Sequence, residues 1–250
     1  MKYGICPISI APLRSETSDS SEMVSQVLYG ETFKIIDTRK KWSRIRLSHD
    51  KYEGWIDNKQ ITEIESEQYH SILKGHKQFS RDLIGHITHN DMTLSTVTIG
   101  AQTSSCTFLN DQYSLNQPET ISYDKSNLIE NALLFLNAPY LWGGRTPLGI
   151  DCSGFTQLIY RMNGFDLLRD ASQQATQGEV LSFIEESEPG DLAFFDNNEG
   201  AITHVGLIMS DNYIIHAHGK VRIDRLDQSG IFNVEKKVHT HKLRVIKKIL

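Results

Sequence analysis

The chain has 250 residues, 39% hydrophobic and 23% charged, an ordinary balance for a globular protein rather than a disordered or fibrous one. Lys and Arg total 26 against 31 Asp and Glu, a formal charge of −5 without a basic tract, which argues against a nucleic-acid partner. No run approaches the ~20 apolar residues of a membrane span, and Met1 to Pro7 contains no signal-type core of roughly 7–15 apolar residues, so no membrane partner is expected and the protein reads as cytoplasmic.

Along the chain, Ile5 to Pro12 is largely apolar, and residues 27–37 are strand-like. Trp42-Ser43-Arg44-Ile45-Arg46-Leu47 alternates large apolar with polar residues, the period of a strand. A polar turn at Ser48-His49-Asp50 leads into Tyr52-Glu53-Gly54-Trp55-Ile56. Short strands this closely spaced predict a small β-barrel over residues 1–64. Residues 65–80 are polar and read as a linker. Leu94 to Gly100 is strand-like and Asn110-Asp111 turn-like, so a second small β-domain is expected over 65–122. Residues 123–250 change character. Apolar residues at 128, 129, 132, 133 and 136 form a helical stripe that Pro139 ends. A glycine-rich loop over 142–149 follows, then a helix, then strands at 191–195, 204–209 and 213–217. Helix followed by antiparallel strands is an α+β pattern.

Three cysteines, Cys6, Cys106 and Cys152, are too few and too odd for a disulfide framework. Cys6 and Cys106 read as small buried residues. Cys152 differs because of its surroundings. Asp151 is a good helix N-cap, Phe155, Leu158, Ile159 and Met162 share one helical face, and Asn163-Gly164 is a good stop. Cys152 therefore falls in the first helical turn, where unpaired N–H groups and the helix dipole favour a thiolate and are placed to hold an oxyanion. A thiol nucleophile also needs a base, usually His. With a three-residue loop at Ser210 to Asn212, Met209 faces Tyr213 and Gly206 faces His216. His204 then shares a face with His216 as a diagonal neighbour ~7–8 Å away. His218 sits directly opposite His204 in this register and competes for the role of orienting it. The His-x-His pair lacks a carboxylate or thiol at ligand spacing, so no metal is expected.

Asp151-Cys152-Ser153-Gly154, preceded by Pro139-Tyr140-Leu141-Trp142-Gly143-Gly144, resembles the NlpC family of papain-like cell-wall peptidases. Pro189-Gly190-Asp191-Leu192, Thr203-His204-Val205-Gly206 and Ile214-Ile215-His216-Ala217 match that family in the same order. The resemblance implies a papain-like α+β domain, a Cys152–His204–His216 triad, Tyr140 beside the oxyanion hole, Trp142 lining the cleft and no cofactor. Ser153 is implied either to contact substrate or only to cap the helix. Ala11-Pro12-Leu13-Arg14, residues 25–31 and Tyr52-Glu53-Gly54-Trp55-Ile56 resemble bacterial SH3-like domains. The whole arrangement is similar to the murein-tripeptide endopeptidases of the dipeptidyl-peptidase VI group, γ-D-glutamyl-L-diamino acid endopeptidases that act on short peptides with a free N-terminal L-Ala in murein recycling. In that group the first SH3-like domain closes one end of the cleft. A Tyr and a Glu from it bind the free amine together with a catalytic-domain Asp. Asp170, in Arg169-Asp170-Ala171-Ser172-Gln173-Gln174, matches that Asp; Tyr52 and Glu22 are the residues expected to match the other two.

The middle region matches a second SH3-like domain poorly. Thiol acyl transfer or amidase action on another substrate uses the same motifs, and a non-catalytic wall-binding protein is a further alternative. Neither the third residue of the substrate, Lys or diaminopimelate, nor the oligomeric state is readable; a monomer is the working expectation.

Overall fold

The computed structural model describes residues 1–113 and 125–250. The chain divides into two compact units, Met1–Ile121 and Ser122–Leu250. Both expected small β-domains fall in the first. Their expected junction with the catalytic domain, at 122/123, lies outside the described residues.

In the first unit, seven antiparallel strands form one strongly bent sheet: β1 (Lys2–Ile5), β2 (Ile10–Arg14), β3 (Met23–Leu28), β4 (Thr32–Thr38), β5 (Trp42–Leu47), β6 (Glu53–Asp57) and β7 (Thr62–Ile64), in the order β3-β2-β6-β5-β4-β1-β7. The alternation read in β5 is that of burial: Ile45 and Leu47 are buried while Arg44 and Arg46 are exposed. Cys6, Leu13, Val27, Phe33 and Ile56 complete the barrel core, against which the half-buried Tyr52 packs. The expected linker at 65–80 is instead partly helical. Helix α1 (Ser66–Lys74) buries Tyr69 and Ile72, one turn apart, and Tyr69 stacks on Tyr3 with ring centroids 4.1 Å apart. Composition alone hid this helix because only those two side chains need be apolar.

Strands β8 (Ile84–Thr88), β9 (Leu94–Thr98) and β10 (Gln112–Tyr113) make a separate three-stranded sheet. Its anchor is Tyr29, in the turn after β3, which joins Ile87, Val97, Ala101 and Cys106 in one apolar cluster. The Tyr29 hydroxyl donates to Asp111 Oδ2 at 2.6 Å. The other oxygen of Asp111 meets His89 Nδ1 at 2.8 Å, and His89 Nε2 lies 2.7 Å from Ser95 Oγ. Burial and the neighbouring carboxylate drive the Tyr29 hydroxyl far above the usual phenol range, so it stays a donor.

The second unit opens with α2 (Ser126–Leu133), shorter than the stripe to residue 136 predicts, and a two-rung hairpin of β11 (Arg145–Thr146) and β12 (Gly149–Ile150). Next come α3 (Cys152–Met162), α4 (Ala171–Gln174), β13 (Glu179–Leu181), β14 (Leu192–Asp196), β15 (Ile202–Met209), β16 (Tyr213–His218), β17 (Lys220–Asp227), β18 (Gly230–Asn233) and β19 (Val238–Lys248). The sheet order is β13-β19-β14-β15-β16-β17-β18, and β19 also pairs β18. Strands β14 to β19 thus close into a ring. Register shifts at Phe194/Phe195 and Ile231/Phe232 sit where β19 bends to reach both neighbours, the usual work of a bulge. Helix α3 is buried along its whole length, and Phe135 meets Phe155 edge to face at 5.9 Å. Among the described residues, no helix is long and apolar enough to cross a membrane.

Replacing Tyr29 with Phe leaves the buried Asp111 carboxylate short of a donor. The expected cost to the first unit is ~1–3 kcal/mol, read as a lowered midpoint in urea unfolding of the full chain; an unchanged midpoint would contradict the anchoring role.

Candidate active site

Helix α3 begins at Cys152, capped by Asp151 as its sequence predicts. One carboxylate oxygen of Asp151 accepts the Gly154 N–H at 2.7 Å, and the other accepts the Gly143 N–H at 2.8 Å, which ties the glycine-rich loop to the helix start. The loop approaches so closely that a Cβ on Gly154 would stand 2.4 Å from the Gly144 carbonyl oxygen, so only glycine fits. Arg169 closes the assembly with a two-point contact to Asp151 at 3.0 and 2.6 Å and a hydrogen bond to Ser153 Oγ at 2.9 Å. Ser153 is buried and its hydroxyl is spent within this clamp, the capping side of its two readings.

The Cys152 side chain is 6% exposed. The backbone N–H of Val205, the residue after His204, acts on its sulfur in the sense that favours the thiolate. The expected pull of the helix start toward the thiolate is present in the Ser153 N–H, but it is opposed. Burial, then the Asp151 charge, pushes the thiol up to about 12, outweighing the Val205 and Ser153 N–H groups and the Arg169 charge. The resting group is a thiol.

The hairpin has the register read from its turn: Gly206 faces His216 and Met209 faces Tyr213. Asp211 and Asn212 take left-handed conformations in the turn, which Asx residues tolerate. Beyond that register, His216 rather than His218 meets His204. His204 Nε2 lies 2.8 Å from His216 Nδ1, whereas the exposed His218 ring is centred 6.3 Å from each of them. A fourth ring, His241 of β19, stacks on His204 at 4.2 Å. Burial, then the charges of His216, His241 and His218, holds His204 well below the usual imidazole range. His216 is also lowered by burial, against the opposing pull of Asp224. Among the described residues, no three His, Cys or carboxylate groups are arranged to hold a metal ion.

Tyr140 follows the turn that leads to the glycine-rich loop, with its N–H on the Gly219 carbonyl at 3.0 Å and a parallel bridge to Ile150, two residues before Cys152. Burial, then the charges of Cys152 and Asp151, pushes its hydroxyl up to about 12, so it is a neutral donor. Trp142, in the loop itself, is 60% exposed. The half-buried Asp170, next to the clamp residue Arg169, heads the short helix α4, its N–H held by Gln173 Oε1 at 3.1 Å. Tyr52 and the exposed Glu22 belong to the first unit.

Three side chains near the base were not read from the sequence. Asp224 Oδ2 lies 3.1 Å from His216 Nε2, Arg222 grips Asp224 at 2.7 and 3.1 Å, and His241 forms the stack. A signal for the first two existed: extending the hairpin reading by one strand places Arg222 opposite His216 and Asp224 diagonal to it.

Residues 137–240 match the NlpC/P60 family and residues 13–61 match the bacterial dipeptidyl-peptidase Sh3 domain. The chain is 40% identical over 93 residues to the γ-D-glutamyl-L-lysine dipeptidyl-peptidase of Bacillus subtilis, a match covering 36% of this chain and only 31% of that protein. It is 27% identical over 254 residues to dipeptidyl-peptidase 6 of Lysinibacillus sphaericus, covering 88% of this chain and 90% of that one. In fold it is similar to the crystal structure of an NlpC/P60 family protein from Bacillus cereus, with a TM-score of 0.77, 19% identity and 99% of each chain covered. A β-barrel followed by a Cys-headed helix on an antiparallel sheet thus corresponds to a bacterial dipeptidyl-peptidase Sh3 domain over residues 13–61 and an NlpC/P60 domain over residues 137–240.

Proposed function

We propose that the protein is a γ-D-glutamyl-L-diamino acid endopeptidase acting on short cell-wall peptides with a free N-terminal L-Ala, as in murein peptide recycling. One observation supports the chemistry: a buried cysteine heads helix α3, and His204 on β15 pairs with His216 at 2.8 Å in the same unit. The substrate class rests on the two similar dipeptidyl-peptidases and on the paired domains.

In this reading the Cys152 sulfur attacks the γ-carbonyl of D-Glu and His204 takes the thiol proton on Nδ1, because Nε2 is spent on His216. The Cys152 backbone N–H and the Tyr140 hydroxyl hold the oxyanion. His204 then passes its proton to the amine of the departing diamino acid, leaving a thioester that water hydrolyses with the same base. Asp170 binds the substrate ammonium through charge-assisted hydrogen bonds. Tyr52 and Glu22 are proposed as further partners of that ammonium, and Trp142 as a wall for the peptide. A carboxylate so placed discriminates against a blocked amine, because it loses its partner.

Replacing Cys152 with Ala is expected to lower hydrolysis of L-Ala-γ-D-Glu-L-Lys by at least ~10⁴-fold with an unchanged circular dichroism spectrum; retained turnover would sink the proposal. N-acetylating that substrate is expected to abolish cleavage, and Asp170→Asn to lower kcat/KM for the free-amine peptide about 10–100-fold. Equal rates on free and acetylated peptides, followed by mass spectrometry, would refute the ammonium site. The pH dependence follows from His204. A base whose pKa is depressed is lost only as pH falls through that depressed value, so kcat/KM is expected to stay level between about pH 7 and about pH 6. An acid limb centred at or above 6.5, the ordinary imidazole value, would contradict the neutral thiol–imidazole pair.

A further inference from the structure

Proton uptake on His204 Nδ1 requires that ring to be Nε2–H at rest and His216 to offer a bare Nδ1, yet each neutral ring can carry its N–H on either nitrogen. Asp224 closes that question. Its side chain is fully buried, and three N–H donors and one imidazole nitrogen converge on it: Arg222 Nε at 2.7 Å and His216 Nε2 at 3.1 Å on Oδ2, Arg222 Nη2 at 3.1 Å and the Val234 N–H at 3.2 Å on Oδ1. Burial raises this carboxyl, but the hydrogen bonds from His216, Arg222 and Val234 outweigh it and hold it at about 2. At neutral pH it is ionised and accepts only.

We infer that Asp224, held by Arg222, is a positioning residue that dictates the tautomers of both histidines and so makes His204 Nδ1 the basic nitrogen. An acceptor at His216 Nε2 requires Nε2–H there, and a neutral His216 then has a bare Nδ1. That atom lies 2.8 Å from His204 Nε2, which must supply the proton of the hydrogen bond. His204 is therefore Nε2–H as well, with a bare Nδ1 for the thiol. When His204 takes the Cys152 proton it becomes an imidazolium with protons on both nitrogens. Asp224 receives none and acts on that charge through the neutral His216. Apart from the Cys152 sulfur, the described groups whose charges act on the two rings are His218, His241 and Arg222, with Lys236 acting on His218, all neutral or cationic, so Asp224 is the carboxylate that favours the imidazolium.

Asp224→Asn shows why charge matters here. The amide nitrogen must face one set of donors. At the Oδ1 position it meets both Val234 N–H and Arg222 Nη2; at the Oδ2 position it meets Arg222 Nε and His216, and His216 can adapt by moving its proton to Nδ1. The second choice costs one donor clash instead of two. It turns His216 into a donor toward His204, which must then carry its own proton on Nδ1 and is no longer a base toward the thiol.

This inference rests on the proposed Cys152–His204–His216 chemistry, and the test separates the two. In the full chain labelled with ¹⁵N-histidine, multiple-bond ¹H–¹⁵N correlations at neutral pH, assigned with His204→Gln and His216→Gln, are expected to show both rings as Nε2–H. An Nδ1–H signal from either ring of the unsubstituted protein overturns the inference, with no Asp224 variant required to fold. In Asp224→Asn both rings are expected to become Nδ1–H and kcat/KM to fall on the order of 10²–10⁴-fold. Unmoved tautomers overturn the inference even if activity drops, because a merely structural role lowers activity without moving protons. Retained hydrolysis by Cys152→Ala counts against the functional reading and leaves the tautomer result standing.

Discussion

The arrangement of the catalytic unit depends on one buried ion pair, Asp151 with Arg169. The carboxylate caps α3, holds the glycine-rich loop through Gly143 and receives the guanidinium from the segment that ends in Asp170. Three stretches distant in sequence thereby meet at the first turn of one helix, where Cys152 stands. A buried pair of this kind is costly to desolvate, and removing one partner strands the other as an uncompensated charge. Here every strong acceptor direction of the carboxylate is occupied by an N–H, which is the condition under which such a pair holds a single geometry.

The same carboxylate works against the nucleophile's ionisation. Together with burial it raises the Cys152 thiol, while burial lowers His204 and His216. The two shifts act in one sense, favouring an uncharged pair at rest.

Stability in the first unit is handled separately and by other means. The barrel core is apolar, and the three-stranded sheet is joined to it through the Tyr29 hydroxyl, Asp111 and His89, a polar line inside an apolar cluster. A serine, a histidine and an aspartate in hydrogen-bonded succession resemble a nucleophile arrangement, but Asp111 is shared with Tyr29 and the line ends at a strand serine.

Much of the site was legible before folding because it is local. The cap, the apolar face and the stop of α3 all fall within residues 151–164, and a three-residue turn with alternating flanks was enough to set the register that brings Gly206 opposite His216. Likewise, alternation marked β5 and composition marked the barrel. Other features are decided by residues far apart in sequence. The helix at Ser66–Lys74 exists because Tyr3 and the barrel give Tyr69 a place to pack; ring closure depends on the bends in β19. His216 rather than His218 meets His204, although the register put His218 directly opposite it and His216 on the diagonal. The direction of the Cys152 shift follows from desolvation, a sum over everything packed around the sulfur, and the Asp224–Arg222 support stands two ladders from the base. Sequence by itself determined the helix start at Cys152 and the register that faces Gly206 with His216, since capping and periodicity act over a few residues. Only the tertiary structure decided the protonation of Cys152, His204 and His216 and their supports, because burial and cross-strand contact are properties of the packed chain.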